Sequence, residues 1–371
     1  MRLPAASLGL ALLLIAVTAA PAGATSALDA ARAVASYNSM QRYLFDARSG
    51  LYLETAGAMT SARAWPASQA ITAAIDVAAL PSRRAAGAVP RHFSALDRHF
   101  RRGGLYTAWP GGDVYFDDNA WIAGTLLDWS QLQGSASARQ RATALFARIV
   151  GAWDTNAKHA CAGGVFWTAA AGNRDRNTVT TANAALLGLR LYAATHRADY
   201  LTWSQRLLGW VDRCMLGQDD LYWDHIALDG TVDKTYWSYN QGLVIGALVE
   251  LYAITGDAAT LARAEQLGDA ALAYFGGRWD SDEPPEFAAV FFRYLLELAS
   301  VGGRQDYVGA AETYAEHAWS VSRNPRTGLF SFSGRTRLLD QAALVQLYAT
   351  LARQPVTSAP LEPQVAAPAP S

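Results

Sequence analysis

The sequence predicts an all-α fold, a double-ringed helical barrel (a toroid) built from six helical hairpins. Three observations predict it. Between residues 26 and 353, apolar residues recur at three- and four-residue spacing, and strands are hard to find. The helices marked this way alternate between an amphipathic, charged kind and a nearly uncharged kind. The alternation repeats at roughly 50–60 residues.

In chain order, Leu28–Phe45 is followed by Ser68–Leu80, Val89–Arg101 by Asn119–Leu132, and Ala136–Asp154 by Asn183–Thr195. Then Tyr200–Cys214 is followed by Asn240–Thr255, Ala258–Tyr274 by Phe287–Ser300, and Tyr307–Val321 by Gln341–Leu351. The first of each pair carries many charges and needs one apolar stripe. The second is rich in Ala, Leu and Gly, as expected of an inner helix covered on all sides. Small residues let an inner ring pack closely. Gly, Pro and Asp punctuate the joints. An open helical solenoid has a repeat of similar length, but it favours similar motifs in each repeat, and these repeats differ.

The flanks read differently. Residues 1–24, MRLPAASLGLALLLIAVTAAPAGA, have a basic start at Arg2, an apolar core and a small-residue site at Ala22-Gly23-Ala24. They are expected to be a signal peptide, and the mature chain to be secreted (extracellular or periplasmic) without stable membrane insertion. Residues 25–353 form the barrel. Residues 354–371 are rich in Pro, Ala and Ser and are expected to be a disordered tail. Net charge is −1 with no basic cluster, which excludes nucleic acid as a partner. The chain is expected to be a monomer. In an oxidising compartment Cys161 and Cys214 could form one disulfide; two free buried thiols are the alternative.

Polar and aromatic residues collect at the starts of the uncharged helices. They include Trp65 to Gln69, Tyr115 to Asn119, Arg176-Asn177-Thr178 through Asn183, Tyr236 to Gln241, Glu283 with Glu286 and Phe287, and Arg335, Arg337, Asp340 and Gln341. In a closed toroid these starts share one end, so the groups converge on one bowl. Aromatic rings among amides and carboxylates suit a carbohydrate, whose faces stack and whose hydroxyls hydrogen-bond. Trp65, Trp109, Tyr115, Trp121, Trp167, Trp223, Trp237 and Tyr239 all lie in or beside these loops. The six histidines are scattered, with His225 alone near a bowl loop, and no histidine–carboxylate spacing predicts a metal or other cofactor.

Asp117 and Asp118 stand side by side in VYFDDNAW (114–121). One reading is a helix N-cap. The other is chemistry, because glycosidic cleavage uses two carboxyl groups. Adjacent residues favour the shorter carboxylate separation, and with it retention of anomeric configuration. At about 5 Å, two carboxylates repel by about 3 kcal/mol at an effective dielectric of 20. One therefore stays ionised while the other holds a proton.

FDDNAW at 116–121, GGVFW at 163–167, ANAALLGLRLY at 182–192, LYWDHI at 221–226 and YNQGLVIGALVELYAITGD at 239–257 together carry a resemblance. Over residues 35–353 the chain resembles glycoside hydrolase family 76, the endo-α-1,6-mannanases. The resemblance implies an (α/α)6 barrel, retaining hydrolysis of α-1,6-mannan and no metal. It implies Asp117 as nucleophile and Asp118 as general acid/base. Asp224 would bind a sugar hydroxyl, and Asn119, Asn183, Tyr239, Asn240 and Gln241 would line the cleft. Trp65 and Tyr115 complete the expected substrate-binding set. The alternatives are a transglycosidase of the same family, a sugar isomerase or epimerase on the same barrel type, and a silent glycan-binding protein.

Overall fold

The computed structural model describes residues 22–279, 282–332 and 334–354. The predicted leader and tail lie outside these residues, apart from Ala22-Gly23-Ala24 and Gln354.

Among the described residues, twelve α-helices alternate between two concentric rings. The inner ring is α2 (Ala64–Ala78), α4 (Phe116–Gln133), α6 (Thr178–Thr195), α8 (Ser238–Thr255), α10 (Pro285–Gly302) and α12 (Leu338–Leu351). Each inner helix packs on the next, and α12 packs back on α2, which closes the ring. The outer ring is α1 (Ala22–Leu44), α3 (Val89–Phe100), α5 (Ala136–Val150), α7 (Ala198–Met215), α9 (Ala258–Phe275) and α11 (Gln305–His317), the last extended by a π-helical turn at Ala318–Ser322. Helix α1 leans mainly on α12, so the two ends of the barrel domain meet. The fold is the (α/α)6 barrel that the alternation predicts.

Small residues set the inner spacing. A Cβ on Gly242 would lie 2.7 Å from the Phe291 Cα, and one on Gly188 would lie 2.3 Å from Ser204 Oγ. The axis itself is not apolar, contrary to expectation. The thirteenth residue of the six inner helices is Asp76, Asp128, Arg190, Glu250, Glu297 or Thr350. These residues face a charged lumen. Arg190 pairs with Asp128, Arg293 pairs with Asp76, and Arg353 reaches Asp76 at 3.0 Å. One or two charges at one level of a helix look negligible in sequence, yet five of the six inner helices bring theirs together, and α12 adds Thr350.

The inner helices begin two to five residues earlier than their apolar runs suggest. Their first turns are polar because they face the bowl, not because they are loop.

Among the described residues, seven short strands, which the sequence reading did not resolve, lie in the connections. They are β1 (Phe45–Asp46) with β2 (Leu51–Tyr52), β3 (Arg101–Arg102) with β4 (Leu105–Tyr106), and an antiparallel sheet of β5 (Asp175–Asn177), β6 (Trp223–Ala227) and β7 (Val232–Tyr236). Strands of two to five residues are too short for alternation to show.

Cys161 and Cys214 are joined in a disulfide, tying the loop after α5 to the end of α7. Next to it, Gly163 and Gly164 adopt φ of +109° and +79°, and a Cβ on Gly164 would lie 2.5 Å from the buried Trp210 ring. Arg176, fully buried, pairs with Asp154 at 2.7 Å and donates to the carbonyls of Ala160 and Ala227 at 2.9 and 3.0 Å. These contacts hold the loop that forms one wall of the bowl.

Candidate active site

The bowl follows from helical register. The second residues of the six inner helices are Trp65, Asp117, Val179, Tyr239, Glu286 and Leu339. All but Glu286 line one cleft of about 600 Å³. On α10 the third residue, Phe287, takes that place, while Glu286 pairs with Arg337 at 2.9 Å. Arg63, Trp109, Tyr115, Asp118, Trp121 and Trp167 complete the aromatic and charged wall.

Asp117 and Asp118 occupy the first turn of α4, whose N-cap is Tyr115. Neither aspartate is the cap. The helix start still favours their negative charge. Trp167 Nε1 donates to Asp117 Oδ2 at 3.1 Å, whereas the buried Oδ1 has no partner. Burial pushes the Asp117 carboxyl up to about 6, against the indole N–H and nearby main-chain N–H groups; the charge of Asp175 adds to the rise. Burial also pushes Asp118 well above the usual carboxylate range. The charge on Asp117 acts the same way, and the Arg63 guanidinium opposes both. The pair is therefore split: Asp118 keeps its proton to higher pH than Asp117.

The other expected residues divide. Trp65, Tyr115 and Tyr239 line the cleft, with Tyr239 lying at 4.1 Å, centroid to centroid, from Phe287. Asn119 and Gln241 do not line it. Both are fully buried. Asn119 Oδ1 accepts the Tyr106 N–H at 2.8 Å, and its Nδ2 donates to the carbonyls of Tyr106 and Tyr115. Gln241 makes the same three bonds to Tyr222 and Trp237. As fourth residues of their helices they point backwards into the preceding loop. Thr181 and Gln341, the fourth residues of α6 and α12, likewise receive the N–H groups of Val165 and Phe330.

Asn183 is also displaced from the expected place. It lies a turn below Val179 and faces the lumen, a cavity of about 200 Å³, with Nδ2 unpartnered. Trp121 lines both cavities. Asn240 is buried behind Asp224, donating to its Oδ1 at 3.3 Å. Asp224 itself sits on β6, half-buried, with Oδ2 2.9 Å from His225 Nδ1. Among the described residues, Asp224, His225 and Asp233 bring possible metal-ligating atoms within 4.8 Å of one another. A bulge between Trp223 and His225 and the cross-strand pairing of His225 with Asp233 create this trio, which linear spacing hides. Its groups have protein partners: Asp224 holds His225, and Asp233 accepts the main-chain N–H of Thr235 at 2.9 Å.

Sequence reasoning missed Arg63 and placed Trp167 only among the aromatic residues of the bowl loops, not beside Asp117. Arg63 precedes α2 and lies over Trp109 at 5.4 Å.

The model of glycosyl hydrolase family 76 matches residues 27–327. The chain belongs to that family. Solved structures similar to this family 76 chain include a mannosidase, Bt3792 from Bacteroides thetaiotaomicron VPI-5482, at 22% identity and TM-score 0.78, covering 88% of this chain and 98% of that one. Another is an inactive variant of an α-1,6-mannanase from a Salegentibacter species, with two consecutive aspartates replaced by asparagine, in complex with α-1,6-mannotriose. It is 18% identical with TM-score 0.77, covering 87% and 99% of the two chains. The mannan endo-1,6-alpha-mannosidase DCW1 of Candida glabrata is 26% identical over 178 residues, 43% of this chain and 39% of that relative. The match thus spans about two fifths of that relative's length. No described helix is long and apolar enough to cross a membrane.

Proposed function

We propose that the protein is a secreted, retaining endo-α-1,6-mannanase. The observation that carries this reading is the split aspartate pair at the aromatic end of a family 76 barrel. The names of its relatives, a mannan endo-1,6-alpha-mannosidase and an α-1,6-mannanase bound to α-1,6-mannotriose, support the substrate class. The apolar leader with its small-residue site supports secretion.

In this reading ionised Asp117 attacks the anomeric carbon, and Asp118 protonates the departing glycosidic oxygen. Asp118 then takes a proton from water as the water displaces Asp117. Two inversions at one carbon retain configuration. Tyr239, Phe287 and Trp65 provide faces on which sugar rings stack.

The test is digestion of linear α-1,6-mannan oligosaccharides by the parent and by Asp117→Asn, with products resolved by chain length and anomer. Internal cleavage with an initial α-product, lost in the variant, supports the reading. An initial β-product overturns retention, and no cleavage by the parent overturns the substrate. Transfer to an added sugar acceptor in preference to water would identify a transglycosidase instead.

A further inference from the structure

Asp117 presents two unlike oxygens. Oδ2 accepts the Trp167 indole N–H at 3.1 Å, while Oδ1 is buried with no partner. Burial costs the carboxylate its water, so the indole N–H on Oδ2 and the main-chain N–H groups of Asp117 and Asp118 are what hold it in place.

The donor is held in place. The Phe116 N–H bonds to the Trp167 carbonyl at 2.8 Å, Thr168 Oγ1 donates to the Val114 carbonyl at 2.8 Å, and the Ala169 N–H meets the same carbonyl at 3.0 Å. Tyr115 meets the indole edge-on at 5.0 Å. The segment carrying Trp167 is thus zipped to the segment that leads directly into Asp117. The ring itself is exposed on the cleft side, but the main chain that carries it is fixed.

We propose that Trp167 is a positioning residue for the nucleophile: its indole N–H fixes the Asp117 carboxylate in the orientation from which it bonds the anomeric carbon. This rests on Asp117 being the nucleophile. In the first step a carboxylate lone pair of Asp117 forms the bond to the anomeric carbon. The glycosidic bond breaks, its electron pair stays on the leaving oxygen, and that oxygen takes the Asp118 proton. In the second step water bonds the anomeric carbon and gives a proton to Asp118. The electron pair of the carbon–oxygen ester bond returns to Asp117, and the indole N–H meets the charge that re-forms on the carboxylate. The role is therefore exerted in both transition states.

The test is Trp167→Phe, which keeps an aromatic face and removes the N–H, assayed beside the parent on α-1,6-mannan oligosaccharides. The expected result is a kcat lower by about ten- to hundredfold with little change in KM, matching loss of one hydrogen bond to a charged group. The acid limb of the pH profile should also move to higher pH, because the Asp117 carboxylate loses a stabilising donor. The other groups facing that carboxylate, Asp118, Asp175 and Tyr239, are unchanged. Thr168→Val, which keeps the indole and loosens its anchor, should shift the same quantities less, and it decides the matter if Trp167→Phe fails to fold. A raised KM with unchanged kcat and acid limb would make Trp167 a stacking platform and overturn the proposal. A parent without mannanase activity would instead overturn the functional reading.

Discussion

Gln241 grips Tyr222 by both main-chain groups, accepting its N–H at 2.8 Å and donating to its carbonyl at 2.9 Å. The grip fixes where α8 begins relative to the three-stranded sheet, and so where Tyr239 and Asp224 stand. Asn119 does the same for Tyr106 beneath the aspartate pair.

Gln241→Ala and Asn119→Ala should each destabilise the fold by about 3 kcal/mol, because each leaves buried main-chain N–H and carbonyl groups without partners. Thermal unfolding checks this. A change below about 0.5 kcal/mol would return these residues to a binding role.

Asp117→Asn should abolish turnover, yet at neutral pH it should make the protein more stable. The folded-state pKa of Asp117, about 6, lies above the ordinary carboxylate value. Its contribution to stability is therefore fully present in acid and is lost as pH rises through about 4 to 6. Removing the charge should restore on the order of 3 kcal/mol at pH 7 and nothing near pH 3. Unfolding of parent and variant at both pH values tests the difference; equal stabilities at pH 7 would show that the charge is not penalised by burial.

The pH profile of the parent should be bell-shaped. Activity should rise as Asp117 ionises near pH 6 and fall where Asp118, held higher, loses its proton. In Asp118→Asn the alkaline limb should disappear, and the loss of rate should be smallest for mannosides whose leaving group needs no protonation. An alkaline limb that survives the substitution would remove Asp118 from the acid role.

Reduction of the Cys161–Cys214 bond, which spans a separation of 53 residues, should lower stability by up to about 4 kcal/mol on a chain-entropy account. Because the same loop carries Trp167, turnover should fall as well. Full activity and an unchanged melting curve under reductant would show that Trp210 and the paired Arg176 hold the loop unaided.

The barrel was legible because burial leaves a mark in composition. Helices such as α6 and α8 need no polar face, and α3 and α7 do. The aspartate pair was legible because its chemistry needs two like groups together. Position along the axis was not. Asn119, Asn183 and Asn240 are all amides near helix starts, yet one pins a loop, one faces the lumen and one backs Asp224. Helical phase alone separates those fates, and phase depends on where each helix starts. Arg63 left no signal beyond its place before Trp65, since its neighbour Trp109 comes from another hairpin.

The junction of α1 with α12 has a consequence for how the chain matures. Ser26 donates to the carbonyl of Ala352, and Gln341 donates to that of Ser36. The first helix must therefore wait, through synthesis of more than three hundred residues, for the last to reach it. Until α12 docks, one side of the ring stays open, with apolar flanks of α1, α2 and α10 uncovered. Contacts of such long sequence separation form slowly. A chain that stops short of Leu338 is left as an aggregation-prone crescent, and the barrel closes only when α12 docks.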